Sequence, residues 1–397
     1  MAQFRPEPFR IEVPESELAD LRLRLARARL PLAPRDNEDW SHGPHAGYMG
    51  RLLRYWRDDF DWRRQEALLN RWSHFRVELP DAQGDVHRVH YLFEPGSGAR
   101  PEPLILTHGW PSTWREYHEV VERLAHPERF GGDPEEGCDV IVPSLVGYGF
   151  SSRPERALGP SAIAELWHAL MTRALGYPRF TAQAGDWGSL VTSQLALRHP
   201  ECLRGIHLTL LPLRPDLAHP SQPPLSPEEQ RWRAGLRAWW GPQAGYRAIQ
   251  STRPQALAYG LADSPIGLAA WLADKYWSLG DTRKEHPTEG MEQRFPFDQI
   301  LSQISIYWFT RTIESANALY KAVQPGEAQL PPGVRVEVPT GYADYPIGGL
   351  PRVPRSWAER SYAIAHFAEQ PRGGHFAAME EPELFAADLQ RFLRALR

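Results

Sequence analysis

Residues 184–188 read Ala-Gly-Asp-Trp-Gly, an acid framed by small residues at the end of an apolar run. Small residues two before and two after a central nucleophile permit a sharp turn from strand into helix, which lifts the central side chain above a sheet. Here that position holds Asp186, neither serine nor cysteine. A carboxylate attacks an alkyl carbon to give an alkyl ester, and water can then hydrolyse the ester carbonyl. This chemistry suits epoxides and alkyl halides and is ill suited to peptides or ordinary esters. An aspartate here also fits a plain helix N-cap, so the functional reading depends on partners elsewhere in the chain.

Two partners stand at the expected places. His108-Gly-Trp-Pro111 follows an apolar strand, where hydrolases with an elbow place one oxyanion-hole N–H, the residue after the nucleophile giving the other. The spacing therefore assigns the backbone N–H groups of Trp110 and Trp187 to an oxyanion hole. His375, in Gly373-Gly-His-Phe-Ala-Ala378, follows the last apolar strand, in the chain order nucleophile first and histidine last. Each piece alone has an ordinary structural reading, a Gly-Pro turn or a packed histidine. The three together, in order, specify a covalent hydrolase.

The elements that must hold these residues are legible as alternating patterns. Leu104–Thr107, Asp139–Val142, Arg179–Ala182 and Gly205–Leu211 are strand candidates separated by helices, the signature of a parallel sheet. Strands resume at Val334–Val338 and Tyr362–His366, and a last amphipathic helix carries Phe385, Leu389, Phe392 and Leu396 on one face. Between them, residues from about 225 to 325 read as almost wholly helical. Ahead of the sheet, Leu18, Leu21 and Leu25 predict a helix capped by Ser16, and two further helical patterns follow. Phe75/Val77/Leu79 and Val89/Tyr91/Phe93, joined by Asp81–Asp85, predict a hairpin. The expected fold class is α/β: an α/β-hydrolase fold with a mainly parallel sheet, a helical cap inserted into it and an N-terminal meander. The expected division is 1–95 for the meander, 96–213 and 326–397 for the two parts of the core, and 214–325 for the cap.

Composition bounds the partners. The 397 residues carry 45 Lys+Arg against 49 Asp+Glu, a net charge of −4, which argues against a nucleic-acid binder. Only Lys275, Lys284 and Lys321 are lysines. Cys138 and Cys202 cannot build a disulfide framework or a four-ligand zinc site and fit a reducing compartment. No signal-peptide pattern opens the sequence, and no run approaches the roughly 18 apolar residues of a membrane helix. A cytoplasmic protein without a membrane partner is expected. Neither a metal cluster nor a Gly-rich phosphate loop is evident, so no cofactor is expected.

The runs Phe60-Asp-Trp62, His108–Pro111, Gly185–Gly188, Asp263–Ala270 and Gly373–Ala378 resemble the microsomal-type epoxide hydrolases over essentially the whole chain, as a soluble, bacterial-like member. The resemblance implies conversion of an epoxide and water to a vicinal diol through an ester on Asp186. It also implies two cap tyrosines that donate to the epoxide oxygen, matched by Tyr246 and Tyr320. One element departs from the family. The acid that orients the histidine should lie two residues after the proline in Thr340–Gly349, where Gly348 stands. The other site used by related dehalogenases offers only Thr209 and Leu210. Asp344 is the substitute put forward, with Asp216 and Glu369 as further candidates. A haloalkane dehalogenase, an epoxide-opening cyclase and a non-catalytic ligand-binding homologue are the alternatives. The Trp-rich cap favours a bulky or aromatic epoxide, and a homodimer stays open.

Overall fold

Apolar strands that end in Gly- or Pro-bearing turns assemble here into one nine-stranded sheet. The computed structural model describes residues 4–32, 34–35, 39–282, 289–324 and 326–397, so Lys284 lies outside the described residues. The strands are β1 (Glu7–Phe9), β2 (Ser73–Pro80), β3 (Val86–Glu94), β4 (Glu102–Thr107), β5 (Cys138–Pro143), β6 (Phe180–Ala184), β7 (Leu203–Leu208), β8 (Val336–Asp344) and β9 (Tyr362–Glu369). Their spatial order is β1-β2-β3-β5-β4-β6-β7-β8-β9. From β5 to β9 neighbours run parallel, whereas β1, β2 and β3 add antiparallel strands beside β5. Leu104, Ile105 and Leu106 of β4 and Val140, Ile141 and Val142 of β5 are all fully buried. Both faces of these strands are covered, which is why they read as continuous apolar runs instead of alternating ones. Each such side chain contributes about 1.5–3 kcal/mol relative to exposure.

The hairpin expected at Asp81–Asp85 is present. The Asp81 carboxylate accepts the backbone N–H groups of Gln83 at 2.9 Å and Asp85 at 3.0 Å, and Val77 faces Val89 across the ladder. The N-terminal helices span Glu15–Ala26, Ala46–Asp58 and Trp62–Leu69. The first departs from expectation at its start. Pro14 takes the cap position with no side-chain bond, and Ser16 lies inside the first turn. Proline there has no N–H to satisfy, and Glu15 and Glu17 complement the positive end of the helix dipole.

The helical block separates β7 from β8. Its helices span Pro227–Gln243, Gly245–Thr252, Pro254–Asp263, Pro265–Leu279, Glu289–Arg294, Phe297–Thr310 and Ile313–Ala322. The first opens with a capping box between Ser226 and Glu229. Glu229 also receives both prongs of the Arg360 guanidinium, each at 2.7 Å, which fastens this helix to the turn before β9. The Arg360 hydrogen bonds hold the Glu229 carboxyl down at about 2, well below the usual carboxylate range. On the opposite side the N-terminal helices brace the block. The Tyr55 hydroxyl donates to Asp298 at 2.9 Å, Ser302 donates to Gln65 at 2.8 Å, and Trp40 stacks on Trp277 at 4.8 Å. No helix among the described residues is long and apolar enough to cross a membrane.

Strand β8 runs further than the sequence pattern predicts. Tyr342, Ala343 and Asp344 pair with Phe367, Ala368 and Glu369 of β9. Polar Thr340 interrupts the apolar pattern but is fully buried, its hydroxyl satisfied by the Val338 carbonyl at 2.9 Å. The strand therefore continues through it, and Asp344 is its last residue instead of a loop position.

Candidate active site

Strand β6 passes into the helix Asp186–Arg198 through an abrupt turn at Gly185 and Asp186. Asp186 has φ +43°, a left-handed conformation that costs a non-glycine residue about 1–3 kcal/mol. The turn is possible because its neighbours lack side chains. A β-carbon at Gly188 would lie 2.1 Å from the Thr107 carbonyl oxygen, and one at Gly109 would lie 2.3 Å from Asp186. Gly188→Ala is accordingly expected to displace the elbow from β4. Overpacking of this kind costs about 1–3 kcal/mol or more. Thermal denaturation should show a clearly lower midpoint together with lost turnover, and an unchanged midpoint would contradict the tight packing.

The two carboxylate oxygens of Asp186 face different groups. Oδ1 accepts the Trp110 backbone N–H at 2.8 Å, and Oδ2 lies 3.3 Å from His375 Nε2. The Trp187 N–H lies in the first turn of its helix, where backbone donors have no intrahelical acceptor. The loop carrying Trp110 is itself fixed by His108. His108 Nε2 accepts the Leu145 N–H at 3.1 Å, so Nδ1 holds the proton and donates to the Gly109 carbonyl, also at 3.1 Å. Burial pushes the His108 imidazole down to about 4, which keeps it neutral in that tautomer. From the cap, Tyr307 donates to the Ser112 carbonyl at 2.9 Å and Gln303 accepts from Thr113 N–H and Oγ1 at 3.1 and 2.6 Å.

His375 sits in the turn after β9, its own N–H bound to the Leu279 carbonyl at 3.0 Å. Gly374 beside it lets the cap approach, since a β-carbon there would meet the Asp281 nitrogen at 2.7 Å. Burial opposes charging of the imidazole, but the hydrogen bond and negative charge of Asp186 outweigh it, with Glu116 and Glu380 adding to the effect. The net result is an imidazole raised above its ordinary 6.5. Glu380 anchors the turn. Its carboxylate accepts the N–H groups of Phe376 at 2.9 Å and Asp281 at 2.7 Å. Burial raises this carboxyl to about 7.

Above the elbow the cap supplies Tyr246, in the first turn of its helix, and Tyr320. The Tyr246 ring stacks on Trp110 at 5.1 Å with a 9° interplanar angle, and the Tyr320 ring meets Trp187 edge-on at 4.6 Å. The two tyrosine rings lie 5.9 Å apart. Burial, reinforced for both by the charge of Asp186, raises both phenols, so both remain protonated donors. Lys275 Nζ lies 4.8 Å from the Tyr246 ring centroid, a contact without a sequence signal.

The chain thus brings together Asp186, His375, Trp110, Trp187, Tyr246 and Tyr320. It does not bring Asp344 to them. The Asp344 carboxylate accepts the Tyr342 hydroxyl at 3.0 Å and the Val353 N–H at 3.4 Å, and lies 3.5 Å from Arg352 Nη1. It is the strand ending described above that turns it to these partners, and the one ion pair of His375 among the described residues is with Asp186. Gly348 offers its carbonyl to the Trp239 indole N–H of the cap at 2.8 Å. Elsewhere Glu165, His168 and His199 come within metal-ligand reach of one another, a grouping the spacing did not reveal. The two imidazoles stack at 3.9 Å and 4°, and Glu165 is held by Arg198 at 2.6 Å.

Nearly the whole chain has counterparts among known proteins. Residues 6–117 match the family described as epoxide hydrolase N terminus, and residues 102–255 match the α/β hydrolase fold. A chain from Stigmatella aurantiaca, provisionally named an epoxide hydrolase, is 40% identical over 98% of this chain and 85% of its own. Epoxide hydrolase 1 of Sus scrofa is 33% identical over 98% of this chain and 88% of its own. Among solved structures, an Aspergillus niger epoxide hydrolase superposes with a TM-score of 0.83 at 28% identity, covering 99% of this chain and 97% of that one.

Proposed function

Because the chain belongs to the epoxide hydrolase family of the α/β-hydrolase fold, we propose that it opens its epoxide through a covalent ester on Asp186 and releases a vicinal diol. The observation that carries this reading is the bracketing of one carboxylate by the Trp110 N–H and His375 beneath two protonated tyrosines. Asp186 attacks an epoxide carbon as the carbon–oxygen bond breaks. Tyr246 and Tyr320 donate to the oxygen, because an alkoxide leaves poorly unless its developing charge is stabilised. His375 Nε2 then takes a proton from water as the water oxygen attacks the Asp186 ester carbonyl. The oxyanion so formed rests on the N–H groups of Trp110 and Trp187. Collapse expels the diol oxygen, which takes the proton from His375. The second water proton, left on the Asp186 carboxyl, passes to the tyrosine that protonated the opened epoxide oxygen, restoring the carboxylate. Water is the co-substrate.

The walls of Trp110, Trp187, Tyr246 and Tyr320, with Trp240 at 6.5 Å from Tyr246, favour an epoxide carrying a bulky or aromatic group. Tyr246→Phe and Tyr320→Phe are each expected to lower the rate of ester formation by about 10- to 100-fold, the usual scale for one preorganised donor or somewhat below it. The double variant should lose more than either single one. Stopped-flow tryptophan fluorescence under excess enzyme reads this step, and an unaffected rate in the double variant would remove both tyrosines from it. The decisive experiment uses oxygen-18 water in a single turnover with excess enzyme. Oxygen from the solvent should enter the Asp186 carboxylate and leave the first diol unlabelled. Label in the first diol would overturn the covalent route, and a cyclic ether in place of a diol would favour the cyclase alternative.

A further inference from the structure

We propose that Lys275 is a positioning residue for epoxide opening, its buried ammonium set over the Tyr246 ring to support that phenol as it donates to the epoxide oxygen. The inference rests on the covalent reading above. Lys275 lies on the cap helix Pro265–Leu279, where Leu268, Leu272 and Leu279 share its face at helical spacing and are all buried. Charged side chains are almost never buried on such a face unless they are paired. Lys275 is 6% exposed. Its Nζ lies 2.8 Å from Asp274 Oδ2 and 4.8 Å from the centroid of the Tyr246 ring. Asp274 is the more exposed of the pair, with 28% of its side chain open to water against 8% for Lys275. Water therefore screens the carboxylate more than it screens the ammonium.

The other rings around Tyr246 hold it without bringing charge to it. Trp110 stacks on it at 5.1 Å, and Tyr320 and Trp240 meet it edge-on at 5.9 and 6.5 Å. Arg247 also acts on the phenol, but it is exposed and sits against Trp240 at 5.8 Å. Burial and the negative charge of Asp186 both hold the proton on Tyr246. They keep the phenol a donor and also make it a reluctant one. As the carbon–oxygen bond of the epoxide breaks, the phenol proton moves to the epoxide oxygen and negative charge grows on the Tyr246 ring. A cation over the ring attracts that charge more strongly than it attracts the neutral phenol. The contact is therefore stronger in the transition state than in the ground state, which is the difference that accelerates a step. Tyr246 keeps the charge until it regains a proton when the carboxylate is restored. A compact ammonium fits this place better than a planar guanidinium, in a chain where three of the 45 basic residues are lysine. Among the described residues no cation lies over the Tyr320 ring, so the two tyrosines are unequal and Lys275 couples to Tyr246.

The test uses single turnovers of the full chain in excess over styrene oxide, which separate ester formation from ester hydrolysis. Lys275→Met keeps an unbranched side chain and removes its charge. It should slow ester formation by about 3- to 30-fold and change ester hydrolysis far less. Lys275→Arg, which keeps the charge, should retain most of the rate. The loss should vanish in a Tyr246→Phe background, where the ring remains and the proton is gone, and should persist in Tyr320→Phe. A merely structural role gives another pattern, in which both steps slow, the thermal midpoint falls and the loss survives in Tyr246→Phe. If Lys275→Met does not fold, Lys275→Gln is read in the same cycle. Ester formation unchanged by loss of the charge, equal slowing of both steps, or a loss undiminished in Tyr246→Phe would each overturn the assignment. Absence of any ester in the natural protein would instead overturn the covalent reading, so the two failures are distinguishable.

Discussion

Asp186→Ala is expected to lower epoxide turnover by about 10⁴-fold or more while leaving the fold intact. The size follows from what is removed. Without the carboxylate no covalent intermediate forms, and the remaining groups would have to direct water at a strained carbon without a base placed for it. A 10⁴-fold loss corresponds to about 5.5 kcal/mol of transition-state stabilisation. Stability should change little by comparison, by about 1–3 kcal/mol. Alanine keeps the backbone strain at φ +43° and loses the hydrogen bond from the Trp110 N–H and the pairing with His375. Circular dichroism melts alongside diol formation rates separate the two effects. Residual turnover within tenfold of the natural protein would place the nucleophile elsewhere.

The second large effect belongs to His375→Gln, and it has a different signature. Alkylation of Asp186 needs the carboxylate, the tyrosines and the Trp110 N–H, none of which this substitution removes. Hydrolysis needs a base and should slow by about 10²–10⁴-fold. The variant should therefore consume one equivalent of epoxide rapidly and then stall. Intact-protein mass spectrometry should find the mass of the epoxide added to the chain, and a peptide containing Asp186 should carry it. Steady diol release with no adduct would remove His375 from the hydrolytic step. The natural enzyme should also lose kcat toward acid as His375, the base of the hydrolytic step, becomes protonated, and at a lower pH than the free imidazole would give, because esterification removes the Asp186 charge that raises it.

The residues that meet at this site differ in how far the chain's letters disclose them. Asp186, Trp110 and His375 are visible because an elbow needs small neighbours and because these folds order their parts along the chain. Tyr246 and Tyr320 were visible only through resemblance, since nothing local separates a donor tyrosine from a packing one. Asp344 was misplaced because β8 continues past Val338, and a buried threonine such as Thr340 looks like a strand end in a pattern of apolar residues. Glu380 carries no local signal at all, because its hold on the Asp281 N–H joins segments 99 residues apart. The nine-stranded sheet was foreseen in its parallel part, whereas the joining of β1, β2 and β3 to its edge follows from their pairing with β5. The bracing of the cap by Tyr55, Gln65 and Trp40 likewise needed three-dimensional contact to be seen.

The insertion of the helical block between β7 and β8 has a consequence for how the chain acquires its shape. β8 pairs with β7 across the whole of that block, so the contact that completes the sheet closes a very long loop. Loop-closure entropy must be overcome before such a contact returns any stabilisation, and distant pairings of this kind slow folding. During synthesis from the N-terminus, β1 to β7 emerge first, with Asp186 and Trp110 already adjacent. β7 then waits as an exposed edge until the helices and β8 are made, a state prone to pairing with other chains. The Glu229–Arg360 bridge can form only after this closure, because its two ends lie on either side of it. His375 arrives last of all. The newborn chain therefore holds a nucleophile before it holds the base that would free it.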